Sequence, residues 1–195
     1  MRVVGGIAGG IPLHVPKTDL RPTMDVVKNA IFNSLMEFVR GARVLDLFAG
    51  TGGLGIEALS RGAASCVFIE SDRRACDSIR RNLEKTKLTG GEVACADAVK
   101  WIERNVQPAA FDLILADPPY ARKDGERDFG RELIALAGIR TALAPGGIFI
   151  LEHRPDEPLP LGADWECTRD KRYGDTAVAF LRAAEMHGDE TTHGH

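Results

Sequence analysis

The run Val44-Leu-Asp-Leu-Phe-Ala-Gly-Thr-Gly-Gly-Leu-Gly55 constrains the fold more than any other stretch of the chain. Its first half is an apolar, strand-length segment. Its second half is a glycine-rich turn leading into an apolar helical pattern. Gly50-x-Gly52-x-x-Gly55 matches the dinucleotide fingerprint, in which glycines make the tight strand-to-helix turn and let a ligand approach the backbone. Glu70 closes the next apolar segment about twenty residues on, where a carboxylate can hold both ribose hydroxyls of a nucleoside. A bare strand–helix turn would explain the glycines but not these acids.

The acids also bear on which nucleoside fits. A nicotinamide dinucleotide sets its pyrophosphate on the helix N-terminus. Asp46 lies four residues before Gly50, a poor neighbour for a pyrophosphate and a good one for a cation. S-adenosylmethionine carries a sulfonium and an ammonium and no phosphate. Asp97-Ala98, after a third apolar segment, adds a carboxylate able to accept the adenine amine. The ends of the first three strands thus supply Asp46, Glu70 and Asp97.

A second motif, Asp117-Pro118-Pro119-Tyr120, ends the fourth apolar segment. Two prolines fix the backbone and remove two N–H donors, leaving carbonyls that only accept. A carboxylate beside a proline carbonyl makes an acceptor pair for an exocyclic amine held in line with a methyl group. Tyr120 supplies a ring that can stack on a flat base. The competing reading is a simple Pro-Pro turn.

The remaining sequence alternates strand and helix, which predicts a parallel sheet with right-handed crossovers. Strands are expected at 43–49, 66–70, 92–96, 111–116 and 148–152, and helices at 55–61, 72–87, 98–105, 128–137 and 139–144. The strands are apolar without alternation, as strands covered on both faces are. Arg21-Pro22-Thr23 opens an earlier helix, with Val27, Ile31, Leu35 and Phe38 on one face and Gly41 at its end. Residues 1–20 are glycine-rich and read as a short, irregular, partly mobile β-hairpin. Residues 165–169 and 176–181, joined through Lys171-Arg-Tyr-Gly-Asp175, form an antiparallel pair. From Ala183 onward the chain is polar and is expected to be disordered. The whole is one domain at 21–182 with an N-terminal extension and a C-terminal tail.

Composition limits the setting. The 195 residues are 44% hydrophobic and 27% charged, which is ordinary for a globular chain, and no apolar run reaches membrane-spanning length. The four cysteines form no C-x-x-C pair and read as reduced, mostly buried thiols in a cytoplasmic protein; the scattered histidines argue against zinc. A net charge of −3 argues against a nucleic-acid coat protein, which is usually basic, but not against an enzyme with a local basic patch.

With both motifs placed, the chain resembles the class I S-adenosylmethionine-dependent methyltransferases. More narrowly, it resembles the bacterial 16S ribosomal RNA guanine-N2 methyltransferases. The resemblance covers residues 1–182. It is carried by Arg21-Pro-Thr-x-Asp25 with Ala30-x-Phe-Asn33, Leu45-Asp-Leu-Phe-Ala-Gly-Thr-Gly52, Gly55-x-Glu-Ala-Leu-Ser-Arg-Gly-Ala63, Asp97-Ala98, Asp117-Pro-Pro-Tyr120 and Tyr173-Gly-Asp-Thr176. It implies an α/β, Rossmann-like fold with a seven-stranded, mostly parallel sheet in the order 3-2-1-4-5-7-6, the last strand antiparallel. It implies that Asp46, Phe48, Ala49, Gly50, Gly52, Glu70, Ser71, Asp97 and Ala98 bind the cofactor, with Arg21 and Thr23 closing over it. Asp117 to Tyr120 would then present a guanine amine extruded from 16S rRNA, free or in an assembling small subunit. A cytoplasmic monomer releasing S-adenosylhomocysteine is expected.

One departure stands out. Members of that family carry Trp or Tyr with Arg and Lys in the N-terminal hairpin, where this chain has Gly6-Ile-Ala-Gly-Gly-Ile-Pro12. The remaining basic candidates are Arg2, Lys17, Arg21, Arg122-Lys123 and Lys171-Arg172. The alternatives are an amino-methyltransferase of another rRNA base, DNA adenine or protein glutamine; a nicotinamide oxidoreductase; and a non-catalytic assembly factor.

Overall fold

The computed structural model describes residues 1–15, 25–121 and 125–184. Its centre is β1 (Arg43–Leu47), flanked in parallel by β2 (Ser65–Glu70) and β4 (Phe111–Ala116). β3 (Gly91–Cys95) extends one side. β5 (Leu143–His153), β7 (Thr176–Ala183) and β6 (Trp165–Tyr173) extend the other, with β7 antiparallel to both its neighbours. The sheet therefore has seven strands in the order β3-β2-β1-β4-β5-β7-β6, as the resemblance implied.

Two apolar layers cover the sheet. On one face, α1 (Asp25–Leu35), α2 (Gly53–Ser60) and α3 (Arg73–Thr86) pack over Val44, Phe68, Leu113 and Val178. On the other, α4 (Ala98–Asn105), α5 (Phe129–Ala135) and α6 (Ala137–Ala142) pack over Leu45, Leu47, Ile114 and Phe149. The central strands are sealed on both sides, which explains their unbroken apolar sequence. Each such buried Leu, Ile or Phe contributes roughly 1.5–3 kcal/mol. Asp72 caps α3 by accepting from the Arg74 and Ala75 N–H groups, and Lys87, at φ 56°, ends it; such a cap contributes about 1 kcal/mol.

Several expectations change. The first helix stops at Leu35, where Met36 turns to φ 44° and a 3₁₀ turn, Met36–Val39, carries the chain to Gly41. β5 begins earlier than expected and absorbs the Pro145-Gly-Gly147 turn as an irregularity, since Phe111 pairs with Leu143 but Leu113 with Ile148. The last hairpin is longer and its turn tighter: Tyr173 pairs directly with Thr176. β7 runs through Ala183, and the rest of the expected tail, 185–195, lies outside the described residues. The reading of four free thiols is overturned: Cys76 and Cys95 are disulfide-bonded, leaving Cys66 buried and Cys167 exposed. The first turn of α3 and the end of β3 bring the pair's Cα atoms to 6.2 Å, within bridging range. Among the described residues no helix is long and apolar enough to cross a membrane.

The N-terminal residues form one antiparallel bridge, Arg2 to Pro12, rather than a regular hairpin, and residues 16–20 lie outside the described residues. The glycines serve close packing. The buried carboxylate of Glu57 accepts from the N–H groups of Val4 (2.7 Å) and Gly5 (2.8 Å) and from Arg61 Nε (2.7 Å). Ser60 accepts from the Ala8 N–H and donates to the Gly5 carbonyl. At Gly6, φ is +74° and a Cβ would lie 1.9 Å from the Ser60 carbonyl oxygen, so no other residue fits. The Gly55-x-Glu-Ala-Leu-Ser-Arg61 stretch thus straps the N-terminus to α2.

Candidate active site

The glycine turn joins β1 to α2 at the carboxyl edge of the sheet. Phe48 and Gly50 both have positive φ (57° and 56°), and Gly52 follows at 82°. Gly52 N–H closes the turn on the Ala49 carbonyl at 2.7 Å, while Ala49 N–H extends the pairing toward Ile69. Gly55 has a different task. A Cβ there would come within 2.3 Å of the Phe68 ring and 2.6 Å of Cys66 Sγ, so glycine lets α2 lie flat on β2. A Cβ on Gly50 meets nothing within 4 Å, which leaves open space above the turn.

Three carboxylates lie at this end of β1, β2 and β3. Glu70, at the end of β2, accepts from Gly50 N–H (2.8 Å) with one oxygen and from Asp72 N–H (2.8 Å) with the other, with Ser71 Oγ at 3.4 Å. It therefore ties the glycine turn to the next strand while keeping lone pairs for hydroxyl donors. Asp97 caps α4 through Lys100 N–H, lies 3.6 Å from Arg127, and is followed by the buried Ala98. Asp46 lies deeper than the sequence suggested. It is 1% exposed and its Oδ2 accepts from Gly55 N–H at 2.9 Å. Burial pushes its pKa up to about 8, the Gly55 bond opposes this, and the nearby charges of Asp117 and Glu70 raise it further. Asp46 thus holds the glycine turn from beneath, as a carboxyl whose neutral form burial favours.

Phe48 packs edge-on against Phe129 of α5, with ring centroids 5.0 Å apart, and Arg127 lies 4.5 Å over Phe129. No motif in the sequence points to this packing of Phe129 and Arg127 beside Phe48. Arg21 and Thr23, expected to close over the cofactor, lie outside the described residues.

Asp117 to Tyr120 follow β4, beside β1, so the second motif opens next to the first. Pro118 is buried, Pro119 is exposed, and Asp117 and Tyr120 are half-buried. The Tyr120 hydroxyl forms a short hydrogen bond with Thr176 and reaches Glu152 Oε1 and the His153 carbonyl, both at 3.3 Å. Thr176 donates in turn to Glu152 at 2.8 Å. Burial, with the charges of Glu152 and Asp117, raises the Tyr120 pKa, so the ring stays neutral across the physiological range. Glu152 was missed from sequence, although it lies one residue before the end of β5, much as Glu70 ends β2, and the same pattern would have found it. A small cavity of about 30 Å³ lies among Pro118, Tyr120, Arg131, Glu152 and Arg154, beside the acceptor motif. The larger cavity, about 310 Å³ between Phe38, Arg40, Asp112 and Pro145, opens at the other end of the strands.

A nucleoside-framing glycine turn beside an Asp-Pro-Pro-Tyr turn, on a 3-2-1-4-5-7-6 sheet, defines a class I S-adenosylmethionine-dependent methyltransferase. The chain belongs to the family described as Conserved hypothetical protein 95, which matches residues 1–182. It is 38% identical over 190 residues to YlbH of Bacillus subtilis, covering 93% of this chain and 98% of that one. It is 34% identical over 192 residues to ribosomal RNA small subunit methyltransferase D of Escherichia coli K12, covering 97% and 93%. The solved structure of the Escherichia coli protein yhhF superimposes with a TM-score of 0.81 at 33% identity, covering 94% of this chain and 98% of that one.

Proposed function

We propose that the protein methylates the exocyclic N2 amine of a guanine in 16S rRNA, on the free RNA or within an assembling small subunit. The observation that carries this reading is the position of Asp117-Pro-Pro-Tyr120 on the strand adjacent to the acid-framed glycine turn. The near full-length relative named for small-subunit rRNA supports the substrate. S-adenosylmethionine supplies the electrophilic methyl, on a sulfonium. The open space over Gly50 and the surrounding acids fit that ligand. Glu70 takes the ribose hydroxyls and Asp97 the adenine amine. Ser71 and Ala98 border these contacts. Phe48, Ala49, Gly50 and Gly52 form the floor, and Asp46 contributes negative charge from below.

At the acceptor, Asp117 and the Pro118 carbonyl accept the two amine hydrogens. Those hydrogen bonds aim the nitrogen lone pair at the methyl and offset its delocalisation into the ring. Tyr120 stacks on the base, and alignment of this kind supplies up to roughly 7–11 kcal/mol of barrier lowering. Methyl transfer to the amine would break the S–C bond of the donor, and Asp117 or solvent would take the proton that the nitrogen sheds. We infer a cytoplasmic monomer. Comparing nucleosides of 16S rRNA from cells with and without the gene tests the assignment. N2-methylguanosine missing at one position in the deletion strain supports it, and loss of a different modified base refutes it.

A further inference from the structure

We propose that the face of β6 bearing Arg169, Lys171 and Tyr173 is where the RNA strand flanking the target guanine docks. This rests on the RNA-methylation reading above. β6 is the edge strand of the sheet and is exposed from Glu166 to Arg172. Its side chains alternate between two faces, and the faces differ. On one, Asp170 contacts His153 Nε2 at 3.1 Å and Arg172 pairs with Asp156 at 3.0 Å, so both charged side chains have partners within the protein. On the other, toward α1, Arg169 lies 5.6 Å from the Phe180 ring and donates to Ser34 Oγ, and Lys171 Nζ lies 5.5 Å from the Tyr173 ring. Among the described residues neither Arg169 nor Lys171 is ion-paired.

Cations beside an aromatic ring are what a single nucleic-acid strand meets in its binding grooves, the cations on phosphates and the ring on a base; here Arg169 and Lys171 supply the cations and half-buried Tyr173 the ring, while Phe180 is buried beneath Arg169. The strip also points the right way. β6 runs toward the catalytic edge and ends at Tyr173, which pairs with Thr176, and Thr176 binds the Tyr120 hydroxyl. Alternate side chains stand roughly 6.6 Å apart, so the strip lays phosphate and base contacts out in a line leading to the acceptor ring. The N-terminal segment cannot take over this role. Residues 5–12 carry no cation or aromatic ring, and their backbone is strapped to Glu57 and Ser60. Exposed lysines on edge strands also block edge-to-edge pairing. That use needs only charge, and it predicts no coupling to RNA.

The test compares wild type, Arg169→Glu/Lys171→Glu, the milder Arg169→Gln/Lys171→Gln, and Arg80→Glu on α3 as a distant charge control. Binding to a 16S rRNA transcript is measured across a salt series, with S-adenosylmethionine affinity by calorimetry as the check of fold. The β6 reversal is expected to weaken RNA binding at least about tenfold and to flatten the log–log salt slope by about 0.7 per lost phosphate contact. The glutamine pair should fall between, with cofactor affinity and Arg80→Glu unchanged. Wild-type RNA affinity and slope in both β6 variants, with or without aggregation, overturn the proposal. Asp117→Ala is run alongside. If it is inactive while the β6 variants bind normally, only the docking surface fails. If it methylates normally, the acceptor reading itself fails.

Discussion

At the ends of β1 and β2, Asp46 and Glu70 are held by N–H groups of the glycine turn and its neighbour, nine and twenty residues away. At the ends of β4 and β5, the Tyr120 hydroxyl is held by Glu152 and Thr176, 32 and 56 residues away. The cofactor half is therefore organised by one local strand–turn–helix unit and its neighbouring strand. The acceptor half is assembled only when the C-terminal hairpin has docked against β5. The first should hold its shape without ligand. The second should be the half that mutations in the hairpin loosen.

The sharpest way to separate the halves is Asp117→Ala. Loss of its hydrogen bond and proton acceptance should lower kcat by about 10²–10⁴-fold, while calorimetric affinity for S-adenosylmethionine stays near wild type. A parallel loss of cofactor affinity would show that the halves are not separate. Glu57→Ala probes the strap instead. It strands Arg61 beside the amides of Val4 and Gly5 and should cost about 3 kcal/mol in urea unfolding, with Glu57→Gln recovering part of that.

The pH dependence of the cofactor half follows from Asp46. Its folded pKa, raised to about 8 mainly by burial, exceeds the unfolded value near 4. The folded ligand-free state therefore holds a proton that the unfolded chain has lost, and its stability falls as pH rises from about 4 to about 8. A cationic ligand favours the ionised form, so S-adenosylmethionine affinity should rise with pH up to about 8, by at most about tenfold per unit. Calorimetry at several pH values checks this. Asp46→Asn, which keeps an acceptor for Gly55 N–H, should flatten the profile, and the uncharged sulfur of S-adenosylhomocysteine should make it shallower. The smallest effect expected is in the acceptor half. Thr176→Val should lower kcat about fivefold by freeing the Tyr120 ring, since misplacement of about 1 Å costs up to about 10²-fold. Thr176→Ser should restore it, and cofactor affinity should not move.

The same contrast explains what could be read from the sequence. The central strands, the glycine turn and the acids at the ends of β1, β2 and β3 were legible because each is fixed by contiguous residues: an apolar run, then a turn, then an acid; the strand order came only with the family resemblance. The depth of Asp46 was not, because burial depends on how closely α2 lies on β2, and Gly55 against Phe68 decides that. Thr176 was visible as part of a motif, but its contact with Tyr120 depends on the register between β5 and β7. The packing role of the N-terminal glycines was not legible, since only the structure shows Gly6 pressed on Ser60. The Cys76–Cys95 pair was misread for a similar reason: sequence spacing does not show that the start of α3 meets the end of β3.

The central claim is that the Asp117 turn delivers a guanine amine to the methyl donor framed by the glycine turn. Incubating purified protein with methyl-labelled S-adenosylmethionine and unmodified 16S rRNA, then resolving the nucleosides by mass spectrometry, tests it most directly. Label confined to N2-methylguanosine at a single position, and absent with Asp117→Ala, is the result predicted. Label on another base, on protein, or undiminished with Asp117→Ala would contradict it.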